Sequence, residues 1–263
     1  MTDPANPRDL TLAEARKAGA SRLAVNPVLP LVAARGAPGE SVHVWNIGDR
    51  AHPTLLGTLG DAGAGADRQD LAFSPDGALL AAPDGNAVRL WWVSRNSPPR
   101  PAGDLPRTKG RVTALAFGPK GRTLFVGDET GTISIWDVTC PGQPDRQGAS
   151  ARHTDDITGL AVHPDGELAA TGGLDGRIRL WDVRDQTRPV EVTALSDGNL
   201  YPGANVGFSP DGRTLAVSGT TGMRLWTVDP TAILQWLCAE SPPITREQWA
   251  QYLPDRPYDP PCA

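Results

Sequence analysis

Hydrophobic and polar positions alternate along most of this chain in short runs, and Pro-Asp-Gly phrases punctuate the runs. From Asp156 to Val162 the alternation has a period of two, the signature of a half-buried strand. His163-Pro164-Asp165-Gly166 follows and predicts a tight turn. Proline presets φ at the first central position, and Asp and Gly complete the reversal. Residues 167–172 predict a second strand, Leu174-Asp175-Gly176 a second turn, residues 177–183 a third strand and residues 189–194 a fourth. The unit is four short antiparallel strands joined by hairpins.

The same unit is written five times. Trp45, Trp91, Trp136, Trp181 and Trp226 are spaced by 46, 45, 45 and 45 residues, and each ends a third-strand phrase such as Val88-Arg89-Leu90-Trp91 or Ile178-Arg179-Leu180-Trp181. A second marker keeps the beat: Pro27, Pro75, Pro119, Pro164 and Pro210 each open a turn. A fixed period of this length marks an array of repeated supersecondary units. One four-stranded sheet cannot bury both faces alone, but stacked sheets can. The five tryptophans are therefore expected to form the core between sheets.

Ser-Pro-Asp-Gly, followed by Asp-Gly-x-Ile-x-Leu-Trp-Asp-Val, resembles the WD40 repeat. The likeness covers residues 9–228 and is strongest in the units ending Trp136-Asp137 and Trp181-Asp182. The others read Trp45-Asn46, Trp91-Trp92 and Trp226-Thr227. The resemblance implies an all-β β-propeller of five four-stranded blades over residues 1–228. It also implies a structural hydrogen-bond network of His, Ser or Thr, Asp and Trp in each complete blade. The fourth unit alone offers all four members, as His153, Thr171, Asp175 and Trp181. In the third unit Thr130 stands in the place of Asp175.

Met1-Thr2-Asp3-Pro4 resembles the junction after a third strand. Two arrangements follow. Residues 9–13 supply an outer strand to the last unit and close a five-bladed ring, or the five units form an open arc, with self-association as a consequence. After Val228 the pattern changes. Asp229-Pro230 signals a helix start, Thr245 to Gln248 matches a capping box, and residues 229–263 are expected to form a short helical cap. This ending resembles the tails of bacterial WD40 proteins whose propeller follows a STAND-type signalling NTPase.

The net charge of -5 argues against a general nucleic-acid surface. No apolar run approaches the length a membrane helix needs, and Met1 to Arg8 has no apolar core, so a cytoplasmic location is expected without a membrane partner. Cys140, Cys238 and Cys262 lack metal spacing; free thiols are the expectation, with a Cys238–Cys262 pair as the alternative. There is no phosphate loop and no nucleophile elbow. Neither a cofactor nor a metal is expected, and Asp155-Asp156 reads as a pair of exposed loop acids. The expected function is a non-catalytic protein–protein interaction scaffold. The alternatives are the separated C-terminal propeller of a larger signalling protein and a hydrolase with a channel site. The divergent stretches 60–67, 95–109, 140–154 and 194–203 are expected to be loops that carry binding. Trp92 lies outside the repeat, either packed between blades or exposed as a partner contact.

Overall fold

The computed structural model describes residues 22–35, 41–50, 52–60, 70–195, 204–219 and 222–229, and in the tail 245–247, 251 and 257. Nineteen strands fall into five antiparallel sheets. Sheet 1 holds β1 (Arg22–Val25), β2 (Leu31–Arg35), β3 (Val42–Asn46) and β4 (Thr54–Leu59). Sheet 2 holds β5 (Ala72–Phe73), β6 (Leu79–Asp84), β7 (Ala87–Ser94) and β8 (Ser97–Leu105). Sheet 3 holds β9 (Val112–Phe117), β10 (Thr123–Asp128), β11 (Thr132–Asp137) and β12 (Asp145–Ala151). Sheet 4 holds β13 (Ile157–Val162), β14 (Leu168–Gly173), β15 (Ile178–Asp182) and β16 (Val190–Leu195). Sheet 5 holds β17 (Asn205–Phe208), β18 (Thr214–Gly219) and β19 (Gly222–Thr227). Each sheet is a simple meander, because short hairpins can connect only strands that are neighbours.

The turn between the first two strands of the second to fifth units has a physical cause. Gly77, Gly121, Gly166 and Gly212 have φ of 72°, 70°, 81° and 73°, a region that favours glycine. Each donates its N–H to the carbonyl three residues earlier, as in Gly166 to His163 at 2.8 Å. The turns also touch from one unit to the next. Asn26 Nδ2 donates to the Gly77 carbonyl at 2.9 Å, and His163 Nε2 donates to the Gly212 carbonyl at 2.8 Å.

Four apolar cores fill the spaces between consecutive sheets. Leu31, Val44 and Leu80 pack between sheets 1 and 2. Leu90, Leu115 and Leu124 join sheets 2 and 3. Phe125, Ile135 and Ile157 join sheets 3 and 4, and Ile178, Leu180 and Leu215 join sheets 4 and 5. Four of the five repeat tryptophans pack toward the preceding sheet, Trp91, Trp136, Trp181 and Trp226 belonging to these four cores in order; Trp45, expected between sheets like the others, faces the far side of sheet 1. Hydrogen bonds between inner strands reinforce the stack. Thr113 Oγ1 donates to the Ile157 carbonyl at 2.5 Å, and Thr158 Oγ1 to the Ala204 carbonyl at 3.0 Å.

At the two ends of the stack apolar side chains remain uncovered. Cross-strand partners share a face, which places Leu23 and Val25 with Trp45 on the far side of sheet 1. Leu23 and Val25 are 63% and 61% exposed, whereas Trp45 is buried. On the far side of sheet 5, Met223 and Leu225 are 67% and 64% exposed.

Two expectations need correction. The stretches 95–109 and 140–154 are not wholly loop, because they contain the outer strands β8 and β12. The prolines of Ser97-Pro98-Pro99-Arg100-Pro101 suggest a loop, but an edge strand tolerates a missing donor on its open side. The outer strand expected at residues 9–13 lies outside the described residues, as do Cys238, Cys262 and most of the tail. Arg246, Glu247 and Gln251 have helical backbone.

Candidate binding site at the rim of the third sheet

In sheet 4 the structure brings His153, Thr171, Asp175 and Trp181 into one hydrogen-bonded chain. Trp181 Nε1 donates to Thr171 Oγ1 at 2.8 Å. The Thr171 hydroxyl then donates to His153 Nε2 at 2.8 Å, and His153 Nδ1 donates to Asp175 Oδ1 at 2.9 Å. The indole can only donate, and burial disfavours the imidazolium, which together favour this order of donors around a neutral imidazole. Burial pushes the His153 pKa down, against the opposing pull of Asp175. Burial works to raise the Asp175 carboxyl. The hydrogen bonds from His153 and from the Thr154 and Arg177 N–H groups outweigh it and hold the carboxyl below its usual range. Arg179 completes the cluster, 2.8 Å from Glu191 and 3.8 Å from Asp175.

The other repeat tryptophans lack this support. Trp136 Nε1 donates to Ser134 Oγ at 3.0 Å. Among the described residues the Nε1 atoms of Trp45 and Trp226 are buried without a hydrogen-bond partner. A net contribution of only about 0.5–1.5 kcal/mol per neutral bond makes such losses tolerable where indole packing persists.

Sheet 3 repeats the backbone of sheet 4 with different side chains. Subtracting 45 from Arg179, Glu191, Asp175, Thr171 and His153 gives Ser134, Arg146, Thr130, Val126 and Thr108. The large Arg179 is thus replaced by a hydroxymethyl group, and the space stays open. A cleft of about 540 Å³ opens there, floored by Trp136, Ser134 and Asp128 and bordered by the 106–109 connection and β12. This lies within the range of about 300–1,000 Å³ typical of ligand pockets. In sheet 2 the matching position is Arg89, and the hollow beside Trp91 is only about 20 Å³.

The cleft is lined by both polar and apolar groups, and its acids are engaged. The Asp128 carboxylate accepts the Thr130 N–H at 2.9 Å, the Thr130 hydroxyl at 2.6 Å and the Thr132 N–H at 3.1 Å. Asp145 Oδ2 accepts from Gln147 Nε2 at 3.0 Å. Three cations stand at the rim. Arg107 donates to Asn86 Oδ1 at 3.3 Å. The Arg146 guanidinium lies 6.0 Å from the centre of the Trp136 ring. Among the described residues no ion pair is formed by Arg107, Lys109 or Arg146.

The remaining candidates are placed as follows. Trp92 is 46% exposed, so the packed alternative is wrong for it. Its neighbour Trp91 points to the opposite face and is partly buried against the core between sheets 1 and 2. Asp155 and Asp156 sit in an exposed loop, where Asp155 accepts the Asp156 N–H at 2.9 Å. Cys140 is a free, exposed thiol. Among the described residues no cluster of His, Cys, Asp and Glu is arranged to hold a metal, and no helix is long and apolar enough to cross a membrane. Sequence reasoning missed the rim cleft. Its one linear signal is the serine two places before Trp136, where the other units carry His43, Arg89, Arg179 and Arg224.

Two stretches of the chain, residues 101–137 and 149–182, match the family described as WD domain, G-beta repeat. They span the last part of sheet 2, most of sheet 3 and most of sheet 4. No curated protein matches the chain.

Proposed function

We propose that this chain is a non-catalytic protein-interaction scaffold of the WD40 type. Repeats of this family generally mediate protein–protein contact, and two units of the chain match it. The observation that carries the reading is the open rim cleft of sheet 3, set in a stack whose interior is otherwise filled. Catalysis needs polar groups converging on one reacting atom. Here His153, Thr171, Asp175 and Trp181 are bonded to one another, with His153, Thr171 and Trp181 buried. Affinity isolation of the tagged chain from its native host, followed by gel filtration, tests the proposal. A partner that co-elutes in a fixed ratio is expected. Elution of the chain alone, over a range of salt concentrations, would overturn it.

A second reading draws on the exposed Leu23, Val25, Met223 and Leu225. Open apolar sheet faces of this kind stack on further sheets. The further sheet would come from a second copy or from a longer signalling protein of which this array is one part. Replacing Met223 and Leu225 together by Ser and following the sedimentation coefficient tests the self-association form. An unchanged coefficient at all concentrations counts against it.

A further inference from the structure

We infer that the rim cleft beside Trp136 binds an acidic peptide segment of a partner protein, with one carboxylate seated against Arg146. This rests on the scaffold reading and names the chemistry of its partner. Sheet 4 supplies the template. Over Trp181 the scaffold places an arginine and a carboxylate together, Arg179 from β15 and Glu191 from β16, 2.8 Å apart. In sheet 3 the arginine has moved to the outer strand, as Arg146, and Ser134 has vacated the neighbouring position. One half of an ion pair is present, with a void in place of the other half.

Charge and shape point the same way. Arg107, Lys109 and Arg146 outnumber the carboxylates of Asp128 and Asp145 around the cleft, and both carboxylates are turned to donors of their own neighbours. A local basic rim on a chain of net charge -5 is selective, because the rest of the surface repels an acidic partner. The volume of about 540 Å³ far exceeds one carboxylate, and the cleft runs along β12 past Ser150. An extended segment of a few residues fits this shape better than a free anion does.

Fluorescence anisotropy of a labelled hexaglutamate peptide tests the assignment, with hexaglutamine and inorganic phosphate as comparisons. Hexaglutamate is expected to bind at low ionic strength and to weaken as salt is added; hexaglutamine is expected not to bind. Ser134→Arg fills the void as Arg179 does in sheet 4, and Arg146→Glu reverses the key charge. Each is expected to weaken binding about tenfold or more, since a hydrogen bond to a charged group is lost. Arg213→Glu on sheet 5 is expected to change nothing. Should Ser134→Arg compromise folding, Arg146→Glu, which alters only an exposed side chain, decides alone. Equal binding by wild type and Arg146→Glu would overturn the inference. So would displacement of the peptide by phosphate at matched concentration, which would assign a free-anion site. If a native partner co-elutes as well with Arg146→Glu as with wild type, the cleft assignment falls while the scaffold reading stands.

Discussion

Sheets 3 and 4 share a backbone plan residue for residue, 45 positions apart, yet one is closed at the rim and the other is open. In sheet 4, Arg179, Glu191, Asp175 and His153 interlock over Trp181 through ion pairs and hydrogen bonds. In sheet 3, Val126 cannot accept from an indole, and Ser134 takes that role from a different strand position. The lesson is that the packing core and the rim are separable. Trp136 and Trp181 are both at least 96% buried, while everything around their polar edges has diverged.

The largest expected effect tests that shared core. Trp181→Ala and Trp136→Ala should each lower unfolding free energy by about 3–5 kcal/mol in urea titrations. Trp92→Ala should stay within about 0.5 kcal/mol. Equal losses at Trp92 and Trp181 would mean that the exposed indole is no rim residue.

Next comes the network that only sheet 4 possesses. Thr171→Val breaks the chain in its middle and leaves Trp181 Nε1 without its acceptor. A cost of about 1–3 kcal/mol is expected. The mirror change in sheet 3, Val126→Thr, should cost less than about 1 kcal/mol in the same assay.

The pH dependence separates a buried group from a partly buried one by sign. His153 titrates below its ordinary value because the fold disfavours the imidazolium. The unfolded chain therefore takes up the proton first, and stability from this group is lost as pH falls below about 6.5. Asp70 behaves oppositely. Burial raises its pKa to about 6 despite Arg22 at 3.2 Å. The folded chain binds the extra proton, so this group adds stability as pH falls from about 6 toward about 4. Thermal melts from pH 7 to pH 5 should show His153→Gln removing an acid-induced loss and Asp70→Asn removing an acid-induced gain. The same slope change in both variants would refute the assignment.

The smallest effect asks whether sheet 3 can be converted into sheet 4. Ser134→Arg with Arg146→Glu recreates the Arg179–Glu191 pair at the equivalent positions. A double-mutant cycle should give a coupling of about 0.5–1 kcal/mol in favour of the pair. A coupling indistinguishable from zero would mean that the two rims differ in backbone as well as in side chains.

Much of the fold is legible in the linear pattern because its signals are local. A proline, an aspartate and a glycine at a turn need no distant partner to act, and Gly77, Gly121, Gly166 and Gly212 adopt the left-handed conformation that the turn phrase requires. The inner and middle strands are readable for a related reason: buried faces impose apolar alternation. The outer strands β8 and β12 are half solvated, so Ser97 to Pro101 and Asp145 to Ala151 carry little of that alternation and look like loops. Membership of the His153 network follows from the resemblance to WD40 repeats, but its proton order does not, since that depends on which atoms face each other. The rim cleft is legible only in retrospect. A serine in a strand is unremarkable until its neighbours are known.

The sequence by itself determined the number of units, their register and the residues that fill the space between sheets. Period, turn chemistry and hydrophobic alternation all act within about 45 residues. Tertiary structure alone decided which polar side chains meet, which sheet keeps a void at its rim and which apolar faces stay uncovered at the ends. Those outcomes are set by which side chains face each other across neighbouring strands and sheets, and by the volume left where one unit has Arg179 and another has Ser134.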